Sequence, residues 1–257
     1  MKVSIITVCY NSAAYIQDCI NSVLEQDYPH IEYLIVDGGS EDGTVDLIRS
    51  YEQGIARWVS EPDEGIYDAM NKGIGMARGE IVGMLNADDI YAHSGVISRV
   101  VEAFRQQQVD TVFGDLVYFP HGQPQKVTRF FPGRGFHPRK LRQGIMPPHP
   151  TFFVRRQLYE QYGLFDTSYR ICADFDLMVR LFHTHGVSYH YLPETLVKMR
   201  TGGASTRGLK STRIINREML QACRKHGIST NLLRIYSKYT TKIFQLIQQP
   251  AGSSPKS

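Results

Sequence analysis

The chain has 257 residues, 42% of them apolar, and a net charge of +4, which suits one large α/β domain or one domain with an appendage. Its four cysteines (Cys9, Cys19, Cys172 and Cys223) have neither metal-motif spacing nor the look of a disulfide scaffold, and no apolar run approaches the roughly 18–20 residues needed to span a bilayer. The charge is divided: residues 207–257 hold ten Lys/Arg and one acid, Glu218, against 19 basic and 24 acidic residues in 1–206, an asymmetry that suggests an anionic partner for the tail.

Val3, Ile5, Ile6 and Val8 make residues 3–8 a buried strand. Asn11 and Ser12 offer a cap for a helix over 13–26, where Ile16, Ile20, Val23 and Leu24 fall at helical spacing. A second strand, 33–37, ends on Asp37 and turns through Gly38 and Gly39. A helix over 44–52, a strand over 57–59 and a turn at 60–63 follow, with Asp63 as the cap of a helix over 66–77. That helix leads to an apolar strand, 81–85, which closes on Asp88 and Asp89. A helix over 94–107 ends the series.

Serial β-α units with short connections predict a mostly parallel sheet covered on both faces. The first four strands end near Tyr10 and Asn11, Asp37, Asp63, and Asp88 with Asp89. These residues should converge on the carboxyl edge, where open α/β sheets bind ligands. Beyond residue 110 the alternation changes. Strands at 111–114 and 116–119 have no helix between them, 126–131 is a further candidate strand, and 133–150 reads as a loop rich in Gly, Pro, Arg and His. A strand at 151–154, a helix at 173–185 and a short strand at 188–192 follow. Residues 201–206 form a small-residue stretch expected to be mobile. Two helices, 209–226 and 231–247, carry apolar residues among lysines and arginines, and a frayed end follows from 250.

Asp88 and Asp89 repel each other unless a cation or hydrogen bonds offset them. Oxygen-only ligands of this kind suit Mg²⁺ or Mn²⁺; the alternative is a strand end followed by a helix cap. Between Thr7 and Ala14 there is no glycine, and no GxxxxGK[ST] occurs, so the dinucleotide fingerprint and the ordinary P-loop are both excluded. The isolated His30, His93 and His190 read as surface or packing residues.

Thr7-Val8-Cys9-Tyr10-Asn11, then Asp37-Gly38-Gly39-Ser40-Glu41-Asp42-Gly43-Thr44, then Asn86-Ala87-Asp88-Asp89 together resemble the family 2 glycosyltransferases, nucleotide-sugar-dependent enzymes of the GT-A fold. The run from Ser60 through Asp63, Tyr67 and Asn71 to Gly73 resembles the branch acting in bacterial exopolysaccharide, O-antigen and colanic-acid-type assembly. The resemblance spans about residues 2–205. It implies an α/β GT-A fold: a Rossmann-like, mostly parallel central sheet with helices on both faces, extended by C-terminal helices. The implied organisation is a transferase domain at 1–206, with a nucleotide-binding half at 1–110 and an acceptor half at 111–206. A basic amphipathic helical tail at 207–249 and a disordered terminus at 250–257 complete it.

The resemblance also implies roles. Thr7, Tyr10 and Asn11 sit where the family holds base and ribose, Asp37 matches the carboxylate that accepts from the base, and Asp63 a further acid beside it. Asn86, Ala87 and Asp88 match the DxD signature, with Asp88 binding the Mg²⁺ or Mn²⁺ that bridges the diphosphate. Asn86 stands where much of the family has Asp and is a poorer metal ligand. Asp89 supports the metal residue or caps the next helix. Lys72 or Arg78, and Arg200 or Arg207 beside the 202–205 stretch, are candidates to face the diphosphate, a solvated side chain being the plainer reading of both Lys72 and Arg78. Asp174 matches the catalytic base of the acceptor-side motif, in which Ala173 replaces the usual Glu; Asp176 is the second candidate. His149, in a Pro-rich segment, matches a histidine on the acceptor side.

The expected function is metal-dependent, inverting transfer of a sugar from a nucleoside diphosphate donor, UDP first, to a glycan or lipid-linked acceptor in bacterial surface polysaccharide synthesis. The expected location is cytoplasmic, peripheral at the inner membrane surface. A nucleotidyltransferase competes, but residues 8–14 lack the glycine-rich basic loop it needs. A non-catalytic membrane-associated binding protein is the other alternative. A nucleic-acid partner is disfavoured, because the positive charge is confined to the tail.

Overall fold

The computed structural model describes residues 1–202 and 208–239. The first half comprises β1 (Val3–Cys9), α1 (Ile16–Leu24), β2 (Ile31–Asp37), α2 (Thr44–Ser50), β3 (Arg57–Ser60), α3 (Ile66–Met76), β4 (Ile81–Met84), β5 (Asp89–Tyr91) and α4 (Val96–Gln107). The second half comprises β6 (Thr111–Phe119), β7 (Arg129–Phe131), β8 (Phe153–Arg155), α5 (Gln157–Tyr162), α6 (Ala173–Val179), β9 (Tyr189–Arg200), α7 (Gly208–Lys225) and α8 (Leu232–Tyr236).

Strand β1 shows how the sequence builds the layers. Side chains alternate faces along a strand. Val3, Ile5 and Cys9 pack with Ile16 and Ile20 of α1 and with Val100 and Phe104 of α4. Ile6 and Val8 pack on the other face with Met70 and Ile74 of α3. Among the described residues the strands form one sheet in the order β3-β2-β1-β4-β8-β6-β9-β5, with β7 on β6. β3, β2, β1 and β4 are parallel neighbours. β8 is antiparallel to both β4 and β6, and β6 with β9 resumes the first direction. The sheet is mostly parallel, with helices on both faces, as expected.

The differences have local causes. Asn11 is not a helix cap: its φ of +48° is left-handed, and its amide oxygen accepts from the Glu41 N–H at 3.0 Å. The helix therefore starts at Ile16, after a turn in which Tyr15 and Ile16 donate to the Ser12 carbonyl. Neither Asp88 nor Asp89 starts a helix. Asp89 opens the short strand β5, paired with Met199 of β9, and α4 begins only at Val96. Residues 111–119 are one strand, irregular near Asp115, and pairing with it carries β9 past Pro193 to Arg200. The 133–150 loop contains tight helical turns at Pro138–Gln143 and His149–Thr151. Helix α5 was not anticipated, and the expected 173–185 helix becomes α6 followed by a wider π turn, Arg180–Thr184.

Helix α7 packs on the domain. Met219, Ala222 and Cys223 are buried with Phe175 of α6, and Ile235 of α8 joins the same cluster. Much of the apolar surface expected to face a membrane is thus turned inward; Leu233, Tyr236 and Leu232 stay exposed. No helix among the described residues is long and apolar enough to cross a membrane. The expected mobile stretch beyond Gly202, Arg207, the helix beyond Tyr239 and the 250–257 terminus lie outside the described residues.

Candidate active site

The carboxyl ends of β1 and β4 and the head of α3 open into a cleft of about 700 Å³. One wall carries Tyr10, Asn11, Asp63, Asn86, Ala87 and Asp88; the other carries His149 and Asp174. Eight of the eleven expected site residues are therefore brought into the cleft, with Asp88 as the metal candidate among them.

Three are not. Thr7 shares the odd-numbered face of β1, fully buried against α1, where its hydroxyl meets the Tyr33 hydroxyl at 3.1 Å and Cys19 Sγ at 3.6 Å. That pleat position keeps it out of the cleft. Asp37 lies at the end of β2 but is fully buried. Its carboxylate accepts from the Gly39 and Ser40 N–H groups and from the Ser40 and Ser60 hydroxyls. These bonds hold its carboxyl below the usual range despite burial; in this structure Asp37 organises the turn. Asp176 is fully buried one helical step from the cleft, with Lys225 Nζ at 3.2 Å and His226 Nε2 at 3.1 Å. It anchors α7 to α6 and is not an acceptor residue here.

Asp63 is placed by Gly38. A Cβ on Gly38 would lie 2.4 Å from the Asp63 carboxylate, so only glycine lets that acid approach the 37–40 turn. Asp63 does not cap α3; it accepts from the Gly65 N–H at 2.8 Å. Tyr10 is 65% exposed at the cleft mouth, an aromatic surface able to stack on a base.

The acidic end of the cleft is short of partners. Burial raises the Asp88 carboxyl, and the Arg200 charge offsets this in part. Asp89, directly behind it, is fully buried with both carboxyl oxygens unpartnered, and the Asn86 Oδ1 is unpartnered as well. Burial and the Asp88 charge push Asp89 well above the carboxylate range. Arg200 is not a free clamp: it is buried, donates to the Asp88 carbonyl and to Asp18 at 3.0 Å, and lies over Tyr15 and Phe119. Lys72 pairs with Glu61 and Asp68 on the outside of α3, and Arg78 follows the far end of that helix, so neither faces the cleft. A cluster of carbonyl and carboxylate oxygens wanting partners is the donor chemistry a hard divalent cation takes. No group of three or more His, Cys, Asp or Glu among the described residues could hold a metal, so substrate oxygens and water would complete any shell around Asp88.

At the other wall, burial lifts the Asp174 carboxyl to about 6, against hydrogen bonding to its own helix. Its Oδ1 accepts from the Phe175 N–H at 2.7 Å and lies 3.5 Å from the Tyr67 hydroxyl. Such a group is ionised at neutral pH yet basic enough to take a proton. Burial lowers His149 to about 4, so it is neutral in the cleft it shares with Asp174, edge-on to Phe165. Sequence reasoning missed Tyr67, Tyr118, Arg129 and Lys238 as cleft residues. Tyr67 lay inside a quoted motif, while the others arrive from β6, β7 and the tail, with no local signal.

Residues 4–163 match the family described as Glycosyl transferase family 2. A PGL/p-HBAD biosynthesis glycosyltransferase of Mycobacterium bovis (strain BCG / Pasteur 1173P2) is 29% identical over 222 residues, 85% of this chain and 82% of the relative. An uncharacterized glycosyltransferase of Mycobacterium tuberculosis (strain CDC 1551 / Oshkosh) is 33% identical over 69% of this chain and 68% of its own. A mannosyltransferase from Pyrobaculum calidifontis, in complex with GDP-Man and Mn²⁺, has a similar fold: TM-score 0.64 and 20% identity over 96% of this chain and 72% of that one. S. aureus TarS 1–349 in complex with UDP-GlcNAc gives 0.61 and 19% over 86% of this chain and 67% of that fragment; the chain covers 44% of the longer TarS structure.

Proposed function

The chain belongs to glycosyl transferase family 2, and from that premise we propose that it moves a sugar from a nucleoside diphosphate donor to a hydroxyl of a glycan or lipid-linked acceptor, with inversion. It is a glycosyltransferase of GT-A-like fold; the donor, metal, stereochemistry and acceptor are our reading. The observation that carries it is that Asp88 and Asp174 line one cleft.

Tyr10, Asn11 and Asp63 receive the base and ribose. Asp88, with the Asn86 amide beside it, would hold Mg²⁺ or Mn²⁺, which would supply positive charge to the departing diphosphate. Asp174 accepts the proton of the acceptor hydroxyl as its oxygen bonds to the anomeric carbon. The bond from that carbon to the diphosphate breaks on the opposite side, releasing nucleoside diphosphate. Tyr67 holds Asp174 from the side, and neutral His149 offers a hydrogen bond to acceptor or donor without competing for the proton. The complexes of TarS with UDP-GlcNAc and of the archaeal mannosyltransferase with GDP-Man and Mn²⁺ support a nucleotide sugar and a divalent ion. The name of the mycobacterial relative supports a glycolipid product as readily as the surface polysaccharide we expected.

A peripheral membrane position is part of the same proposal. Leu233 is 82% exposed and stands with Leu232 and Tyr236 on α8, and Leu232 lies close to Arg217 and Arg224 of α7. Apolar side chains among cations are what an interfacial helix requires. Purified protein supplied with UDP and GDP sugars and Mn²⁺ should release nucleoside diphosphate when given an acceptor; release from none of them would reject the reading.

A further inference from the structure

The cleft does not end at Asp174. It continues past it into a chamber walled by Ile145 and Met146 of the loop before β8, Ile171 ahead of α6, and Ile215 and Met219 of α7. Arg170 and Lys238, whose ammonium lies against Met219 Sδ, stand at its edge, but these five side chains are apolar, and an acceptor hydroxyl has no use for them. The tail is seated on the loop at Gly144. That residue has a φ of +67°, and a Cβ there would lie 3.0 Å from Met219 Sδ and 3.4 Å from Ile235. The wall is fixed at its other side by Glu218, whose carboxylate accepts the Arg170, Ile171 and Cys172 N–H groups at 2.9–3.0 Å. The chamber is therefore a built part of the fold and not a gap between loosely placed elements.

We propose that this chamber binds the apolar aglycone of the acceptor: an alkyl or aryl group attached close to the hydroxyl that is glycosylated. The inference rests on the transferase reading and deepens it. Asp174 stands at the junction between the polar donor end and the apolar end. An acceptor whose hydroxyl reaches Asp174 must put its remaining atoms either back toward the donor, which that end already holds, or into the chamber. Burying an apolar chain against Ile145, Ile171, Ile215 and Met219 tightens binding about fourfold per buried methylene, so aglycone length is read as affinity. A free hydrophilic sugar gains nothing there. Helix α8 links the two environments, since Ile235 packs against Gly144 of the chamber loop while Leu233 and Tyr236 face out. An acceptor anchored in a lipid surface would enter along that helix.

The test uses the full chain labelled with ¹³C in the methionine methyl groups. Met146 and Met219 report on the chamber, and Met70 reports on the donor end. Octyl glucoside below its micelle concentration is the probe, and methyl glucoside is its control. Octyl glucoside should shift Met146 and Met219 and leave Met70 in place; methyl glucoside at the same concentration should shift none of them. UDP with Mn²⁺ should shift Met70. In I215D the octyl response should fall at least tenfold in affinity while the Met70 response to UDP persists, which shows the variant folded; I215A should show a smaller loss. An equal response to both glucosides, or unmoved Met146 and Met219, overturns the chamber. A Met70 signal deaf to UDP and GDP, alongside an octyl response at Met219, rejects the donor reading and leaves the apolar site standing.

Discussion

Glu218 and Asp174 are coupled through the backbone: the carboxylate of the tail helix takes the three N–H groups of residues 170–172, and the next turn of chain presents Asp174, the proposed base. The tail is thereby a support of the candidate site as well as a cover for the core. Burial is the main cause of the raised Asp174 carboxyl, and the Glu218 charge adds a small further push upward. In Glu218→Gln the amide oxygen can still accept while the charge is gone. The acid limb of the pH–rate profile should move slightly below its wild-type position, with turnover largely kept. Glu218→Ala should lose turnover at every pH. An unmoved profile in the first variant and full rate in the second would uncouple the two residues.

Asp176→Asn should separate anchoring from catalysis. Burial raises the Asp176 carboxyl, but His226 and Lys225 hold it below its ordinary range. A lowered native value stabilises the fold above the ordinary carboxylate range, and that stability is lost as pH falls through the lowered value. The variant should lose about 1–3 kcal/mol of stability at neutral pH, with a weaker acid dependence, and should retain turnover. Urea melts at pH 7 and pH 3 measure the stability; a dead enzyme would return Asp176 to the catalytic role.

Gly38→Ala should injure donor binding from outside the cleft. The added methyl displaces the Asp63 carboxylate, removing a hydrogen bond to a charged group worth about 1.5–3 kcal/mol. The KM for donor should rise about tenfold or more, with acceptor KM unchanged. Parallel donor and acceptor titrations check it.

These cases mark where the sequence was legible. The β-α series, its two-sided core and the acids at the strand ends follow from alternation and periodicity visible in residues 3–107. Thr7 and Asp176 were misplaced because a motif carries residue identity but not the face a pleat or helix step turns to the cleft. Strand β9 was cut at Leu192 because Pro193 reads as a stop, while its long pairing with β6 overrides that local signal. Arg200 looked free because its partners, Asp18 and the Asp88 carbonyl, lie far away in the chain.

Membrane docking should depend on α8. Basic residues near an anionic leaflet contribute about 1 kcal/mol each, so the protein should co-sediment with phosphatidylserine-containing vesicles at low salt and leave them at high salt. Leu233→Glu should weaken binding without changing turnover of a soluble acceptor. Equal binding to neutral vesicles would reject the electrostatic part.

The most direct measurement is nucleoside diphosphate release against pH, with Mn²⁺ present, for the wild type, Asp88→Ala and Asp174→Asn. Asp174 is ionised only above about 6, so wild-type kcat/KM should fall as pH drops through that value. Asp174→Asn should lose a factor on the order of 10² or more in turnover, with donor binding nearly unchanged and a melting temperature no lower than wild type. Asp88→Ala, like EDTA, should abolish transfer with the fold intact. Full activity in either variant, or a wild-type profile flat from pH 5 to 8, would contradict the assignment of metal residue and base to this cleft.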